Sequence, residues 1–318
     1  MSRFPTPETR FFSEQKWPAL SESEAKLHSV IVPEYEKSRI DPRKFIDLYG
    51  SAAVEMDLKE IQSLEAQFSG DGDPDYTSHV ARGALFEAIL SDQIESSDWL
   101  GKNARVIVPS RYDDIKHGID GIIEFEEETG KSHLAIGVDI TKGSEWLDKK
   151  FAFIKSSIDR GELSKVKYFK TGDYRGELRM VPRVIIGAGQ KVSTEVAELL
   201  LDFKQIQKRL LSPREKEAVD TVTEESRTEF KHIRGTLENH ILQFIILYEM
   251  KAQLEAFQKY AERTGKNNVA SAYRKRLDII EGILQNKLEG TNRPKIEAKM
   301  EKDSVYRMIR EKTARFAG

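Results

Sequence analysis

The chain has 318 residues, of which 39% are hydrophobic and 33% are charged, and its formal net charge is -2. A charged fraction above the usual value of about 25% is typical of long, charged helices. The small net charge excludes a global attraction to nucleic acid or to membranes. The absence of cysteine excludes disulfides, zinc–thiolate sites and thiol catalysis. The length suits about two domains of roughly 100–200 residues each.

Long apolar segments are missing from the sequence. The start, MSRFPTPETRFFSEQKW, has no continuous apolar run, so we expect no signal peptide. The longest apolar run is the short FIILY (244–248), which predicts no membrane span. We therefore expect a soluble, cytoplasmic protein with no membrane partner.

The first predicted unit covers residues 1–78. It begins as an extended arm, with three prolines among aromatic residues, and continues as helices from about residue 21. Asp41 followed by Pro42 predicts a helix start, because Asp caps helices and Pro fits the first turn. The turn-rich SGDGDPD (69–75) then predicts a linker.

The second predicted unit, residues 79–212, has the pattern of an α/β core. Its order is helix, three strands, helix, strand, helix, with Ser193 as the predicted cap of the last helix. The predicted elements are 79–100, 104–110, 118–125, 133–141, 145–161, 181–189 and 193–211. The segment GAGQK (187–191) matches no nucleotide-binding motif and predicts a tight strand-to-helix turn.

The third predicted unit, residues 213–318, shows only helical patterns, with Gly265 and Gly290 as natural stops. From Phe203 onward there are 24 Lys/Arg and 17 Asp/Glu, against 27 and 36 before it. This asymmetry indicates two modules with different partners, or ordinary scatter over helical surfaces. Basic residues near aromatics suit either phosphate binding or a solvated bundle face. The apolar 241–250 suits either core packing or a homodimer.

Two strands in the central unit each carry one acid, Asp120 in GIDGIIEF and Asp139 in HLAIGVDIT. Alternation along the second strand places Leu134, Ile136, Val138 and Ile140 on one apolar face and Asp139 on the other. A carboxylate in such a strand is costly unless a cation or hydrogen bonds compensate its charge. Either acid alone is explained by a turn or by a pairing lysine, but two together on neighbouring strands favour a divalent-cation site.

In these acids and in the order of its predicted elements, the segment 79–190 resembles the PD-(D/E)xK nuclease superfamily. Asp120 matches the first acid of its motif, Asp139 matches the second, and Glu87 matches the Glu that projects from the preceding helix. The resemblance implies an α/β fold with a restriction-endonuclease-like mixed central sheet flanked by helices. Here N-terminal helices precede that core and a C-terminal all-helical domain follows it. The implied activity is divalent-metal-dependent hydrolysis of nucleic acid.

The resemblance also implies roles for individual residues. The metal ligands would be Asp120, Asp139, Glu87 and the carbonyl of Ile140, and the cofactor would be Mg²⁺ or Mn²⁺. The partner would be nucleic acid, DNA before RNA. Lys142 would orient the attacking water or stabilise charge on the phosphate.

One departure from the motif keeps a second interpretation open. The lysine belongs two residues after the second acid, where this chain has Thr141, and Lys142 comes one residue late. A bulge could return Lys142 to the site, or the next helix could supply the charge from Lys149, Lys150 or Lys155. The alternative is a catalytically inactive nuclease-like protein that binds nucleic acid or acts in assembly.

The segment SRYDDIKHG (110–118) adds weaker candidates. Asp113 and Asp114 are either ligands of a second metal or ordinary loop acids. His117 is either a general acid or base or a polar residue of the loop.

Overall fold

The computed structural model describes residues 19–68, 74–127, 130–138, 144–172, 174–211 and 224–317. The predicted N-terminal arm and most of the predicted linker lie outside these ranges. So do Asp139, Ile140 and Lys142. None of the described helices is long and apolar enough to cross a membrane.

The N-terminal helices lead into the central unit. Ser21 and Glu24 form a capping box at the first helix, and Asp41 caps a short 3-10 turn with Pro42 in its first position, as the sequence predicts. The helix predicted from residue 79 begins earlier, at Pro74. The elements are α1 (Glu22–Ser38), the 3-10 turn (Pro42–Phe45), α2 (Ile46–Tyr49), α3 (Ser51–Phe68) and α4 (Pro74–Ser96).

The central sheet is mixed, which confirms the α/β class in its coarse form. Its strands lie in the order β1 (Ala104–Ile107), β2 (Gly121–Glu127), β3 (Gly130–Val138) and β6 (Arg183–Ile186). The first three are antiparallel, and β6 is parallel to β3, with Ala135 opposite Arg183. A parallel neighbour requires a long crossover, which the chain makes through α6 (Ser144–Arg160).

Two elements interrupt the predicted order. A short helix, α5 (Arg111–His117), stands where the sequence suggests a loop. A separate two-stranded ribbon, β4 (Ser164–Lys170) with β5 (Arg175–Val181), precedes β6. Val181, predicted to open the last strand, belongs to this ribbon instead.

The prediction that Ser193 caps the next helix is wrong. That helix, α7 (Gln190–Leu211), starts three residues earlier, and the amide of Ser193 already donates to the carbonyl of Gly189 at 3.1 Å. The predicted tight turn between β6 and this helix is confirmed at 187–189.

The C-terminal part is helical, as predicted. The stops near Gly265 and Gly290 are confirmed, whereas the closing segment forms two helices because the chain turns at 301–303. These helices are α8 (Glu224–Glu238), α9 (Ile241–Arg263), α10 (Asn267–Leu288), α11 (Arg293–Met300) and α12 (Ser304–Ala317).

The two faces of the sheet pack against different partners. Ile123 and Leu134 point into the main core, which the helices cover. Ile122 points to the other face, where it packs with Val166 and Phe169 of the β4–β5 ribbon. The ribbon therefore forms a second layer that covers the Ile122 face of the sheet.

The C-terminal helices complete the outer edge of β6. The side-chain amide of Gln253 donates to the carbonyl of Ile185 at 2.6 Å and accepts from its N–H at 2.9 Å, as a paired strand would. Glu249 accepts from the N–H of Gly187 at 3.0 Å, and Asp303 accepts from that of Gly189 at 2.7 Å. A helix with apolar residues on every side is a buried one, and most of α9 lies in the main core.

This packing decides between the two interpretations of the apolar 241–250: it is core within one chain. A homodimer through the C-terminal helices stays a prediction. The three-unit division also stays a prediction, although the described helices after residue 223 share one hydrophobic core with the sheet.

Candidate functional site

Three carboxylates approach one another where β2 begins. Glu87 projects from α4, Asp114 lies on α5, and Asp120 directly precedes β2. The N–H of Asp120 donates to the carbonyl of Ile136 at 3.0 Å, which ties this residue to β3. Two of the acids predicted from sequence, Glu87 and Asp120, are thus close enough to interact.

Tyr35 links Glu87 to Asp120. Its ring lies on the buried face of α1 with Leu27 and Ile31, and this face directs the hydroxyl towards the start of β2. The hydroxyl lies 3.2 Å from Oε2 of Glu87 and 3.1 Å from the backbone oxygen of Asp120, and can donate to either. Burial, then the charge of Glu87, raises the pKa of Tyr35 well above its ordinary value, so the phenol remains a donor.

Crowding of the acids changes their protonation. Burial, followed by repulsion from Asp120 and Asp114, raises the pKa of Glu87 well above its ordinary value. Burial and the charge of Asp120 raise the pKa of Asp114 to about 6. Without an added cation, this group of acids therefore retains protons that isolated carboxyls would lose.

Arg39 is a fixed counterion on one side of the acids. Its guanidinium donates to both oxygens of Glu36 at 2.8 Å, to the carbonyl of Pro109 at 3.0 Å and to Asp114 at 3.3 Å. Its side chain is only 8% exposed. Burial opposes the charge on Arg39, but Glu36 and Asp114 outweigh it and raise the pKa of this guanidinium.

Arg183 is a second buried cation, at the start of β6. It donates to the carbonyl of His117 at 2.8 Å and to that of Gly118, and its guanidinium lies 5.5 Å from the ring centre of Phe153. Burial lowers the pKa of Arg183, and the charge of Asp120 acts against that fall. Arg183 thus contributes positive charge near Asp120 from a strand where no site residue was predicted.

Asp113 is structural. Its carboxylate is fully buried and accepts from the hydroxyl of Ser110 at 2.7 Å and from the amides of Lys167 and Tyr168 at 2.7 and 3.1 Å. His117 Nδ1 lies 2.9 Å from the same carboxylate. These bonds join α5 to β4. Asp113 is therefore committed to holding two elements together, and His117 supports it.

The donor set fits a hard divalent cation in its chemistry, since carboxylate oxygens are the ligands that Mg²⁺ and Mn²⁺ prefer. Within the described ranges, no group of three His, Asp or Glu side chains is arranged to hold a metal ion by itself. Glu87 and Asp120 would need further donors. The sequence prediction supplies Asp139 and the carbonyl of Ile140, which directly follow β3 in the chain.

A scan against protein-family models, a search of curated proteins and a search of solved structures each found no match to this chain.

Proposed function

We propose that the protein is a divalent-metal-dependent nuclease that hydrolyses phosphodiester bonds of nucleic acid. The observation that carries the proposal is the approach of Glu87, Asp114 and Asp120 in a buried position, where burial first and mutual repulsion second raise the pKa of Glu87 and of Asp114. Arg39 offsets this repulsion mainly at Asp114. A cation between the acids would let them ionise together, which is the arrangement that metal-dependent hydrolysis uses.

The metal would be held by Glu87, Asp120, Asp139 and the carbonyl of Ile140. A bound Mg²⁺ or Mn²⁺ would polarise the phosphate and lower the pKa of a coordinated water. Lys142 would orient that water. The mixed sheet, with β6 parallel to β3, supports the finer proposal of a restriction-endonuclease-like core.

Residues of α1 and the turn after it would position the acids. Tyr35 donates a hydrogen bond towards one oxygen of Glu87 and leaves the other available to a cation. Arg39 bonds both to Asp114 and to the carbonyl of Pro109, so this acid would shape the local charge without coordinating. Both side chains are buried and therefore preorganised for this role.

The second candidate is a catalytically inactive nuclease-like protein that binds nucleic acid or acts in assembly. Two observations favour it. Thr141 stands at the motif's lysine position. Tyr35 and Arg39 already engage two of the acids within the chain, as in a site that has become structural.

A cleavage assay tests the proposal. Labelled single-stranded DNA, duplex DNA and RNA would be incubated with Mg²⁺ or Mn²⁺ and the wild-type protein, Asp139→Ala or Glu87→Gln. The exposed Glu55→Gln on α3 is the matched carboxyl-to-amide control. We expect metal-dependent cutting by wild type and control, DNA before RNA, and a loss of at least about a hundredfold in both site variants.

A second readout needs no activity. Thermal unfolding with and without Mn²⁺ should show stabilisation of wild type and of the control, but not of Asp139→Ala. Stabilisation without cutting would favour the inactive candidate. If Mn²⁺ produced no stabilisation and no substrate were cut, the proposed metal site would be contradicted.

A further inference from the structure

A groove runs along α9, between α10 on one side and α11 and α12 on the other. We call it the helical groove, and its volume is about 1200 Å³. Pockets of roughly 300–1,000 Å³ hold drug-sized ligands, so this groove has room for a larger one. Along α10 the lining extends from Glu281 to Glu289. At ~1.5 Å per residue this distance is about 12 Å, or roughly two turns of a helix.

The helical groove is acidic, although the C-terminal part of the chain around it is basic. From Phe203 onward the chain has 24 Lys/Arg and 17 Asp/Glu. Among the described residues, six of these acids line the groove but only three of the bases do. The lining acids are Glu249, Glu255, Glu281, Glu289, Glu297 and Glu301. Negative charge is therefore concentrated in the groove, and the excess of bases lies on other surfaces.

The lining bases are each paired with a lining acid. The pairs are Lys251–Glu281, Arg293–Glu297 and Arg310–Glu301. Three lining acids remain in excess. One of them, Glu255, pairs at 2.6 Å with Lys259, which lies outside the lining. The groove thus keeps a net negative charge, which attracts cations and repels the phosphates of nucleic acid.

Tyr306 is a buried polar group in the wall of the groove. Its side chain is only 6% exposed, and no hydrogen-bond partner of its hydroxyl lies within the described ranges. Burial, followed by the charge of Glu249, raises the pKa of Tyr306 to about 12, so the hydroxyl stays protonated. Because a buried tyrosine hydroxyl usually has a hydrogen-bond partner, this one is available to a polar group of a ligand.

Apolar and small side chains form the rest of the groove. Leu284 of α10 and Ile309 of α12 are buried in its walls. Ala252 on α9 and Ala298 on α11 leave space between them. An amphipathic helix binds to such a surface by laying its apolar side chains into the groove and its polar side chains along the rim.

We propose that the helical groove binds a basic amphipathic helix of a partner protein. About two turns of that helix would place aliphatic side chains over Ala252, between Leu284 and Ile309. Its lysines or arginines would face Glu255 and Glu289. The charge complementarity selects this occupant, because an acidic helix or a nucleic acid would be repelled.

One cationic side chain of the partner would point inward and donate to the hydroxyl oxygen of Tyr306, beside Glu249. This binding goes beyond the proposed nuclease function, since the groove and the carboxylate site are built from different residues. Either proposal can therefore fail without the other.

Fluorescence anisotropy with a designed probe tests the inference. The probe is a labelled peptide of about 14 residues, made of leucine and lysine and patterned to form an amphipathic helix. A matched peptide carries glutamate in place of lysine. Wild type should bind the lysine peptide at least about tenfold more tightly than the glutamate peptide, and added salt should weaken this binding.

Three groove variants separate charge, shape and the buried hydroxyl. The double variant Glu255→Gln with Glu289→Gln should weaken binding of the lysine peptide about fivefold, because two negative charges are lost. Ala298→Trp fills the groove and should weaken this binding at least about tenfold. Tyr306→Phe should weaken it about threefold, since one hydrogen bond is removed.

The matched controls lie on other helices. Glu225→Gln with Glu229→Gln removes two exposed charges from α8, and Ala52→Trp adds a ring at an exposed position of α3. Both controls should bind the lysine peptide as wild type does. Thermal unfolding of every variant shows whether the fold is kept, and sedimentation reports the oligomeric state.

Each outcome supports or overturns the helical groove. Equal binding of the two peptides, no binding of either, or wild-type affinity in the groove variants overturns it. A wild-type dimer that Ala298→Trp converts into a monomer also overturns it, because the groove would then hold a second copy of this chain. Weaker binding in the groove variants but not in the controls supports the proposal, whether or not the protein cuts nucleic acid.

Discussion

Asp113 and Asp114 are consecutive residues of α5, yet their carboxylates serve different networks. Asp113 accepts hydrogen bonds from Ser110 and from two amides of β4. Asp114 instead faces Arg39 and the repelling charge of Asp120, which contributes to a pKa of about 6. Asp113 therefore stabilises the fold as a hydrogen-bond acceptor, whereas burial and the charge of Asp120 disfavour the ionised form of Asp114.

This contrast predicts that the same substitution affects stability differently at the two positions. Asp113→Asn should reduce the free energy of unfolding by about 2–4 kcal/mol, because several hydrogen bonds to a buried charged acceptor are weakened. Asp114→Asn should leave stability at pH 7 unchanged or slightly raised, since it removes a repelled charge. Urea unfolding measures both. Equal losses in the two variants would contradict the division of roles.

The raised pKa of Asp114 also sets a pH window. The folded protein binds more protons than the unfolded chain between the ordinary value of 3.8 and about 6. This group therefore makes stability fall as the pH rises through that window. Asp114→Asn should remove that part of the slope when the unfolding temperature is followed from pH 4 to 7.

Glu87→Gln should stabilise the metal-free protein. The amide keeps the size of the side chain and can still accept from Tyr35, but it has no charge, so it avoids the cost of burying a carboxylate and the repulsion from Asp120 and Asp114. Each unit by which the folded protein raises the pKa of Glu87 costs ~1.4 kcal/mol of stability once the pH exceeds the raised value, and the substitution removes this cost. Thermal unfolding in EDTA at pH 7 measures the gain. A lower unfolding temperature than that of Glu55→Gln would refute the repulsion at this site.

His240 should make the protein sensitive to acid. It caps α9 by accepting from the amide of Leu242 at 3.3 Å and stacks on Trp99, and burial, followed by Lys299, lowers its pKa to about 4. The unfolded chain thus binds this proton first. Stability from His240 is complete above pH 6.5 and declines towards pH 4, by up to about 3 kcal/mol.

His240→Asn tests this dependence, because asparagine preserves the cap without titrating. As the pH falls from 7 to 4, the unfolding free energy of wild type should decrease relative to that of the variant. A difference that stays constant over this range would show that the histidine does not titrate in this way.

Gln253→Ala should be among the most damaging polar substitutions. Both backbone groups of Ile185 would lose their partner in a fully buried position, at a cost of about 2–5 kcal/mol. Gln258→Ala on the same helix is the control, since its amide bonds only to the neighbouring Glu262 at 2.9 Å among the contacts described. Urea unfolding compares the two variants, and similar losses would contradict the pairing of Gln253 with β6.

The strands and long helices were predictable from the sequence because their apolar residues recur at regular spacing. Leu134 and Ile136, for example, were expected on one core face and lie there. The β4–β5 ribbon escaped detection because irregularities near Val166 and Phe169 break the alternation of its side chains. The short α5 escaped because seven residues show no period, and its stability comes from Ser110 and from Asp113 bonds to β4.

The candidate site was predictable only in part. Glu87 and Asp120 were expected to approach each other, and they do. A buried tyrosine needs a hydrogen-bond partner for its hydroxyl, so the position of Tyr35 on the apolar face of α1 could have indicated a polar group nearby. Arg39 is 75 positions from Asp114, and Arg183 is 66 from His117. No local pattern reveals pairings over such separations, because they arise only from tertiary packing.

Side chains of α9 cover the outer edge of β6, and a fragment without α9 would lose this cover. The exposed edge of a sheet is a template on which other molecules can add strands. In a fragment ending before α8, Ile185 and Gly187 would lose Gln253 and Glu249 and present such an edge. That fragment should self-associate into aggregates, so the helices after residue 223 act as an internal protection against polymerisation.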